Sequence, residues 1–207
     1  MGDAIDGFPL FPLGLVLLPR EVVPLHIFEE RYKLMIGECL EEEREFGIIW
    51  LADDALKEVG CAARITQVLE RFDDGRLNIL VEGTAPFRLD RRIGELAYPA
   101  GDVELLDDEA DAGEDALERT RTAYADLVEE VTDTRPEPAA LAELDAYGMA
   151  ATLDIALSAK QTLLELRSER ARLEQLEALF AEAVKRIKTA TRVAEQASGN
   201  GHLRPGD

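Results

Sequence analysis

The sequence predicts an α+β fold in which a β-rich half is followed by a helical half. Short runs of β-branched and aromatic residues alternate with turn residues from Phe8 to about Asp107, a pattern typical of a barrel or sandwich. Beyond Asp107, apolar residues recur every three to four positions, which is the period of an amphipathic helix. With 207 residues, of which 46% are hydrophobic, the chain is long enough to bury a core.

The opening stretch is strongly apolar but contains four prolines, Pro9, Pro12, Pro19 and Pro24. Each proline lacks an N–H and clashes with the preceding helical turn, so short buried strands joined by tight turns are predicted here. The uninterrupted apolar runs are far shorter than the roughly 20 residues of a membrane-spanning helix. The acidic first residues also differ from the basic start of a secretory signal. We therefore expect a cytoplasmic protein with no membrane contact.

The β-rich half is predicted to contain one helix and a series of short strands. The helix, in EERYKLMIGECLEEE, should pack on the sheet through Tyr32, Met35, Ile36, Cys39 and Leu40. The predicted strands are FGIIWLA (46–52), VGCAARITQVLERF (59–72), LNILVEG (77–83), APFRLDRRI (85–93) and AGDVELLDD (100–108). The pair Asp74-Gly75 predicts a hairpin between the second and third strands, because glycine supplies the positive φ that the turn requires.

An acidic segment, residues 107–118, separates the two halves. We predict a solvated connector and a helix start, with Asp115 and Glu118 at capping-box spacing, because acidic side chains favour the first turn of a helix. The alternative, a metal-binding carboxylate cluster, is less favoured. The predicted division is therefore a β-rich subdomain over 8–110 and a helical subdomain over 111–196.

Within the helical half, Ser158 and Gln161 form another capping-box pattern, which predicts a helix that starts at Ala159. A further cap is predicted at Ser168. The helix that follows carries a coiled-coil-like stripe, which we expect to dock on neighbouring helices: Leu173, Leu176, Phe180, Ala183, Ile187 and Ala190. The polar, glycine-containing tail over 197–207 is predicted to be disordered.

The sequence contains no recognisable catalytic motif. A P-loop, a dinucleotide fingerprint, a G-x-S-x-G elbow and an H-E-x-x-H pair are all missing from it. His26 lies between two aliphatic residues and is predicted to be a core histidine bonded to a backbone carbonyl. Cys39 and Cys61 are predicted to be reduced core residues. We therefore expect no catalytic, cofactor-binding or metal-binding residues and no cofactor.

Several segments, in order along the sequence, resemble those of a known family. LFPLGLVLLPREVVPLHIFEERYKLMI closely resembles the start of the Lon protease N-terminal, substrate-binding domain, with a P-L-x-I-F-E-x-R-Y segment from Pro24 to Tyr32. GCAARITQV, DDGRLNILVEGTAPFRL and AKQTLLELRSERARLEQL resemble later segments of that family in the same order, although the A-P-F-R order differs slightly from the usual R-F. The resemblance covers roughly Phe8 to Gln196.

This resemblance implies a PUA-like β-barrel with one packed helix, followed by a C-terminal helical subdomain. In full-length Lon proteases the module precedes an ATPase and a Ser–Lys peptidase domain, and neither is found in this sequence. We therefore expect a stand-alone, non-catalytic bacterial module. Its partners would be unfolded or degron-bearing polypeptides or another protein, within a protease system.

Four consecutive apolar residues are the candidate peptide-binding site: Leu15, Val16, Leu17 and Leu18. On an alternating strand, one face of such a run is partly open unless both faces are covered, and exposed apolar patches mark interaction sites. The alternative is that the fold buries both faces.

Two other functions remain open at this stage. PUA-like barrels often bind RNA, and Arg88, Arg91 and Arg92 form a basic cluster, but the formal charge of −20 opposes phosphate binding. An unrecognised hydrolase would need His26 or a cysteine beside a carboxylate in a cleft.

Overall fold

The computed structural model describes residues 2–53, 55–94, 96–109 and 113–199, with side chains as far as residue 194. The strands within these residues are β1 (Ala4–Leu13), β2 (Val22–Ile27), β3 (Phe46–Ala52), β4 (Ala55–Leu56), β5 (Val59–Arg71), β6 (Leu77–Ile93) and β7 (Ala100–Leu105). The helices are α1 (Glu30–Glu41), α2 (Glu114–Thr132), α3 (Pro138–Ala142), α4 (Ala146–Ala151), α5 (Leu157–Glu165) and α6 (Glu169–Gly199). The α+β class predicted from the sequence is confirmed.

Five strands form a closed ring. Their order is β1, β7, β6, β5 and β3, and β3 pairs in parallel with β1 to complete the circle, whereas the other pairs are antiparallel. The ring is not a regular barrel, because β2 pairs with the first half of β6 outside it and β4 pairs only with the end of β3.

The ring closes around an apolar core to which each of its strands contributes. The core cluster consists of Phe8, Leu10, Ile49, Ala62, Phe87 and Val103. The rings of Phe8 and Phe87 meet edge to face, with centroids 5.8 Å apart, an arrangement that aromatic pairs favour. The apolar strands predicted from the sequence are therefore held together by a shared interior.

Helix α1 packs as predicted, with Tyr32, Met35, Ile36 and Cys39 buried and Leu40 half-buried. Tyr32 contacts Phe11 of β1, with ring centroids 4.1 Å apart. The predicted hairpin is also present: β5 and β6 pair on either side of the turn, and Gly75 adopts a φ of +84°. Residues 85–93 do not form a separate strand, because they continue 77–83 in the single long strand β6.

The chain divides into two compact units: Met1–Asp111 with Asp145–Glu169, and Ala112–Leu144 with Arg170–Asp207. The first unit therefore contains α4 and α5 together with the strands, whereas the division predicted from composition assigned all of 111–196 to one subdomain. In this unit the Gln161 side chain of α5 donates a hydrogen bond to the Val59 carbonyl at 3.1 Å. Ser158 lies within α5, which begins at Leu157, so the predicted start at Ala159 and the Ser158 cap are wrong.

The second unit contains α2, α3 and most of α6. The predicted stripe on α6 docks through its first half, since Leu173, Leu176 and Phe180 are buried and Phe180 meets Tyr124 of α2 at 5.8 Å between ring centroids. The predicted capping box at the start of α2 does not form. Gly113 is the N-cap, and the Asp115 carboxylate instead accepts hydrogen bonds from two arginines, Arg119 and Arg170.

Two predictions concern residues at the edges of the description. Helix α2 begins at Glu114, inside the predicted acidic connector, and residues 110–112 of that connector lie outside the described residues. In the predicted disordered tail, residues 197–199 belong to α6, and residues 200–207 lie outside the described residues.

Candidate functional site

The predicted peptide-binding run lies mainly in the interior. Residues 14–18 form no strand, so the alternation expected of a strand does not apply to them. Val16, Leu17 and Leu18 are buried, and Leu15 is half-buried. In this conformation only Leu15 is accessible to a polypeptide from solvent, and the burial of the other three supports the alternative in which the run belongs to the scaffold.

The loop after this run is held in place by polar contacts. The Glu21 carboxylate accepts a hydrogen bond from the Leu18 backbone N–H at 3.0 Å and forms an ion pair with Lys160 of α5. The backbone of Arg20 donates to the Gly83 carbonyl at 2.8 Å, and Gly83 donates to the Glu21 carbonyl at 3.0 Å. Lys160 and Gln161, the K-Q pair of the resembling motif, therefore connect α5 to the strands.

His26 is exposed, so the prediction that it is a core histidine is wrong. It lies on β2 directly opposite Asn78 of β6, and its Nδ1 is 2.7 Å from the Asn78 side-chain oxygen rather than from a backbone carbonyl. Successive side chains of a strand point to opposite faces, so the burial of Leu25 and Ile27 places His26 on the outer face.

His26 belongs to an aromatic cluster, which we call the aromatic patch: the exposed His26 and Phe28 and the half-buried Phe72. The His26 ring stacks near that of Phe28, with centroids 5.9 Å apart, and meets Phe72 edge-on at 6.1 Å. Phe28 is 59% exposed, a high value for a phenylalanine side chain. Phe72 is placed by the hairpin turn, where its N–H donates to the Arg76 carbonyl at 3.0 Å.

The apolar surface continues from the aromatic patch along β2 and β6. Val22 and Pro24 are exposed on the same side of β2 as His26, and Leu80 of β6 is paired with Pro24. Pro24 is compatible with this position because β2 is an edge strand that pairs only with β6 among the described residues. The outer face of β2 and β6 thus carries a row of apolar side chains beside the patch, of which Val22 and Pro24 are exposed and Leu80 is half-buried.

Charged side chains surround the aromatic patch but are largely paired. The Arg76 guanidinium lies 4.8 Å from the centroid of Phe72 and forms an ion pair with Asp74 at 2.7 Å. The Arg76 backbone N–H, and then its guanidinium, hold the pKa of Asp74 below its ordinary value of 3.8. Lys33 of α1 donates to the Asp74 carbonyl at 2.8 Å, which ties the turn to that helix.

The arginine cluster that suggested RNA binding is largely neutralised. Arg88 forms ion pairs with Asp90 and Glu104, and Arg91 pairs with Asp102. Arginines that already bind carboxylates are poorly available to phosphates, so the geometry does not favour a nucleic-acid site here.

The residues considered for hydrolysis do not come together. Cys39 and Cys61 are buried, and burial raises the pKa of each thiol, which disfavours the reactive thiolate. Across the described ranges, no three side chains of the His, Cys, Asp and Glu types are grouped as metal ligands would be. The helices in the same ranges include none long and apolar enough to cross a membrane.

Comparison with known families gives one match that covers most of the chain. The family model described as the ATP-dependent protease La (LON) substrate-binding domain matches residues 7–182. The chain belongs to this family. The resemblance noted in the sequence is thereby confirmed, and the patch described above lies within the Lon substrate-binding domain as the family model defines it.

Curated relatives of this Lon domain include proteins named Lon proteases. This chain is 24% identical over 218 residues to Lon protease 2 of Myxococcus xanthus, and the match covers 95% of the chain and 26% of the relative. It is 29% identical over 221 residues to Lon protease 1 of Thermus thermophilus, covering 93% and 27% respectively. The chain thus spans about a quarter of the length of these relatives.

Solved structures agree in fold with this Lon domain. A Lon N-terminal domain protein from Xanthomonas campestris has a TM-score of 0.62 at 27% identity, covering 84% of this chain and 98% of that one. The N-terminal domain of Mycobacterium avium complex Lon protease also has a TM-score of 0.62, at 21% identity, with 86% and 98% coverage. The second likeness concerns the fold alone.

Proposed function

We propose that this Lon domain recognises polypeptide segments with exposed apolar side chains through the aromatic patch and the adjoining row of Val22, Pro24 and Leu80. The observation that carries the proposal is the exposure of Phe28 beside two further rings on the outer face of the sheet. Membership in a family described as substrate-binding supports a recognition role. The bound segments belong to unfolded or degron-bearing proteins in the cytoplasm, which the domain binds as part of a protease system.

The size of the aromatic patch fits transient capture. Covering the exposed part of a phenylalanine contributes about 2–3 kcal/mol at the usual apolar coefficient, and the neighbouring side chains add smaller amounts. After the entropic cost of association, such a surface binds weakly and releases readily. Weak binding suits a surface that samples many sequences, because an exposed ring such as Phe28 can pack against many different side chains.

Leu15 has a secondary place in this proposal. It is the partly accessible member of the run Leu15, Val16, Leu17 and Leu18. We assign any peptide contact by this run to Leu15 and treat the three buried residues as support for the fold.

The experiment is a fluorescence anisotropy titration of the full chain against a labelled, unstructured peptide with alternating leucine and phenylalanine. Phe28→Asp is expected to weaken binding at least about tenfold, because a charge replaces the central apolar contact. Val22→Asp, at a position 53% exposed, should weaken it less.

The matched control is Val131→Asp, because Val131 on α2 is also an exposed valine, at 64%, but lies outside the patch. It should leave the affinity unchanged, and all variants should keep the wild-type melting temperature. The proposal is refuted if Phe28→Asp and Val131→Asp bind equally well, or if the wild type shows no binding at about 1 mM peptide.

A further inference from the structure

We infer that His26 is the polar anchor of the aromatic patch: its Nε2 accepts a hydrogen bond from a cationic N–H of the bound segment. The patch would then select polypeptide segments in which an arginine or lysine stands next to an apolar residue. This inference rests on the proposed function and specifies the substrate class of the same surface.

The first step is the orientation of the Asn78 side chain. Its amide nitrogen is 2.9 Å from the Glu70 carboxylate of β5. A carboxylate accepts hydrogen bonds and an amide NH2 donates them, so the NH2 end of Asn78 faces Glu70. The amide oxygen of Asn78 therefore faces His26 on the neighbouring strand.

The second step is the tautomer of His26. The Asn78 oxygen can only accept, and it lies 2.7 Å from His26 Nδ1, so Nδ1 carries the proton. In a neutral imidazole the other nitrogen is then an acceptor. Nε2 has no hydrogen-bond partner in the described part of the chain, and the side chain is exposed. The chain Glu70–Asn78–His26 thus fixes one free acceptor on the outer face of the sheet.

The third step is the position of this acceptor between two apolar rings. Phe28 and Phe72 flank His26 at 5.9 and 6.1 Å between ring centroids. A segment that covers both rings excludes water from the imidazole edge, and a buried acceptor without a donor is unfavourable. A segment that brings an N–H to Nε2 is therefore preferred over one that brings only apolar atoms.

The fourth step is charge. Four cations near the patch are already paired: Arg76 with Asp74, Lys33 with Glu30, Arg31 with Glu29 and Arg64 with Glu82. Glu70, by contrast, is bound by the neutral Asn78 amide, so its negative charge is not neutralised. The other charged residues of the hairpin near it are Arg71 and Asp73, which leaves an excess of negative charge. With a formal charge of −20 on the whole chain, a cationic donor is attracted to Nε2 and an anionic segment is repelled.

The test uses three labelled peptides with the same leucine–phenylalanine core, flanked by arginine, by the neutral arginine analogue citrulline, or by glutamate. The wild-type chain is expected to bind the arginine peptide most tightly and the glutamate peptide most weakly. His26→Phe keeps an aromatic surface but removes the acceptor, so it should weaken the arginine peptide about tenfold and bring the arginine and citrulline peptides within about twofold of each other.

His26→Gln is the conservative variant, because its amide oxygen offers an acceptor near the position of Nε2. It should retain most of the preference for arginine. Glu70→Gln removes the charge that orients Asn78 and should reduce the preference by an intermediate factor. Both positions, His26 and Glu70, are exposed, so melting temperatures should stay at the wild-type value.

The outcomes separate this inference from the proposed function. If Phe28→Asp weakens all three peptides but His26→Phe leaves the arginine preference intact, the surface binds polypeptide and the assignment of His26 is overturned. Equal binding of the three peptides by the wild-type chain overturns it as well. If Phe28→Asp changes nothing, the proposed function fails together with the inference.

Discussion

Two parts of the same apolar opening stretch end up on opposite sides of the fold. Leu15 to Leu18 contain only aliphatic residues, and three of the four are buried. His26 to Phe28 include a polar ring, and in this segment the phenylalanine, Phe28, is 59% exposed. The comparison shows that the local density of apolar residues did not decide which segment faces solvent.

Backbone pairing and neighbouring contacts decide it instead. In β2, pairing with β6 forces alternation, so Leu25 and Ile27 enter the interior and Pro24 and His26 face outward. Phe28, the first residue after the strand, is exposed as well. Residues 14–18 have no such alternation. Their position is set by the backbone contacts at Gly83 and by the Glu21–Lys160 pair. The exposed apolar surface therefore arises where a regular strand leaves one face uncovered.

The largest effect is expected when one side chain in each of the two segments, Leu18 and Phe28, is truncated to alanine. Leu18→Ala should lower the free energy of unfolding by about 3 kcal/mol, because Leu18 is fully buried and its removal leaves a cavity. Phe28→Ala removes a larger side chain but should cost less than about 0.5 kcal/mol, because that side chain is mainly in solvent. Urea unfolding of both variants gives the values, and equal losses would contradict the assignment of inside and outside.

Much of the fold was predictable from local patterns. The hairpin followed from Asp74-Gly75 between apolar runs, and the packed face of α1 followed from helical spacing. The His26 environment was not predicted, although its signal was present in the alternation of Val22, Pro24 and His26 with buried residues. Flanking aliphatic residues suggested burial, whereas in a strand the direct neighbours point to the opposite face.

Other features depend on contacts between residues distant in the sequence. The Glu70–Asn78–His26 chain depends on how β5 and β2 are aligned with β6. That alignment cannot be read from the individual residues. Similarly, Ser158 was predicted to be a helix cap from spacing alone, but α5 begins one residue before it. The four proposed peptide-binding residues could not be sorted by exposure without knowing that Glu21 and Gly83 fix the loop.

The second test removes the ion pair between Lys160 and Glu21, which holds the loop after Leu15 to Leu18 in place. Lys160→Met should cost about 2 kcal/mol in unfolding free energy, because the side chains of Lys160 and Glu21 are only 11% and 12% exposed and the carboxylate would lose its cation. The double variant with Glu21→Gln should cost less than the sum of the two single changes, since neither charge is then left alone. Strictly additive losses in urea unfolding would show that the pair does not act as a unit. Peptide binding at the aromatic patch should not change in the folded variants.

The smallest expected loss of stability comes from the close approach of the β6 backbone at Gly83 to Leu18. A Cβ added at Gly83 would lie 2.2 Å from the Leu18 carbonyl oxygen, so Gly83→Ala must displace the loop. We expect a loss of about 1.5 kcal/mol, in the usual range for overpacking. Gly14→Ala is the matched control at the start of the same run, because nothing lies within 4 Å of its added Cβ, and its effect should stay within about 0.5 kcal/mol. If Gly83→Ala is as well tolerated as Gly14→Ala, the segment can move away from β6 at little cost. In that case the peptide-binding site that we assign to the aromatic patch could instead be formed by the run Leu15, Val16, Leu17 and Leu18.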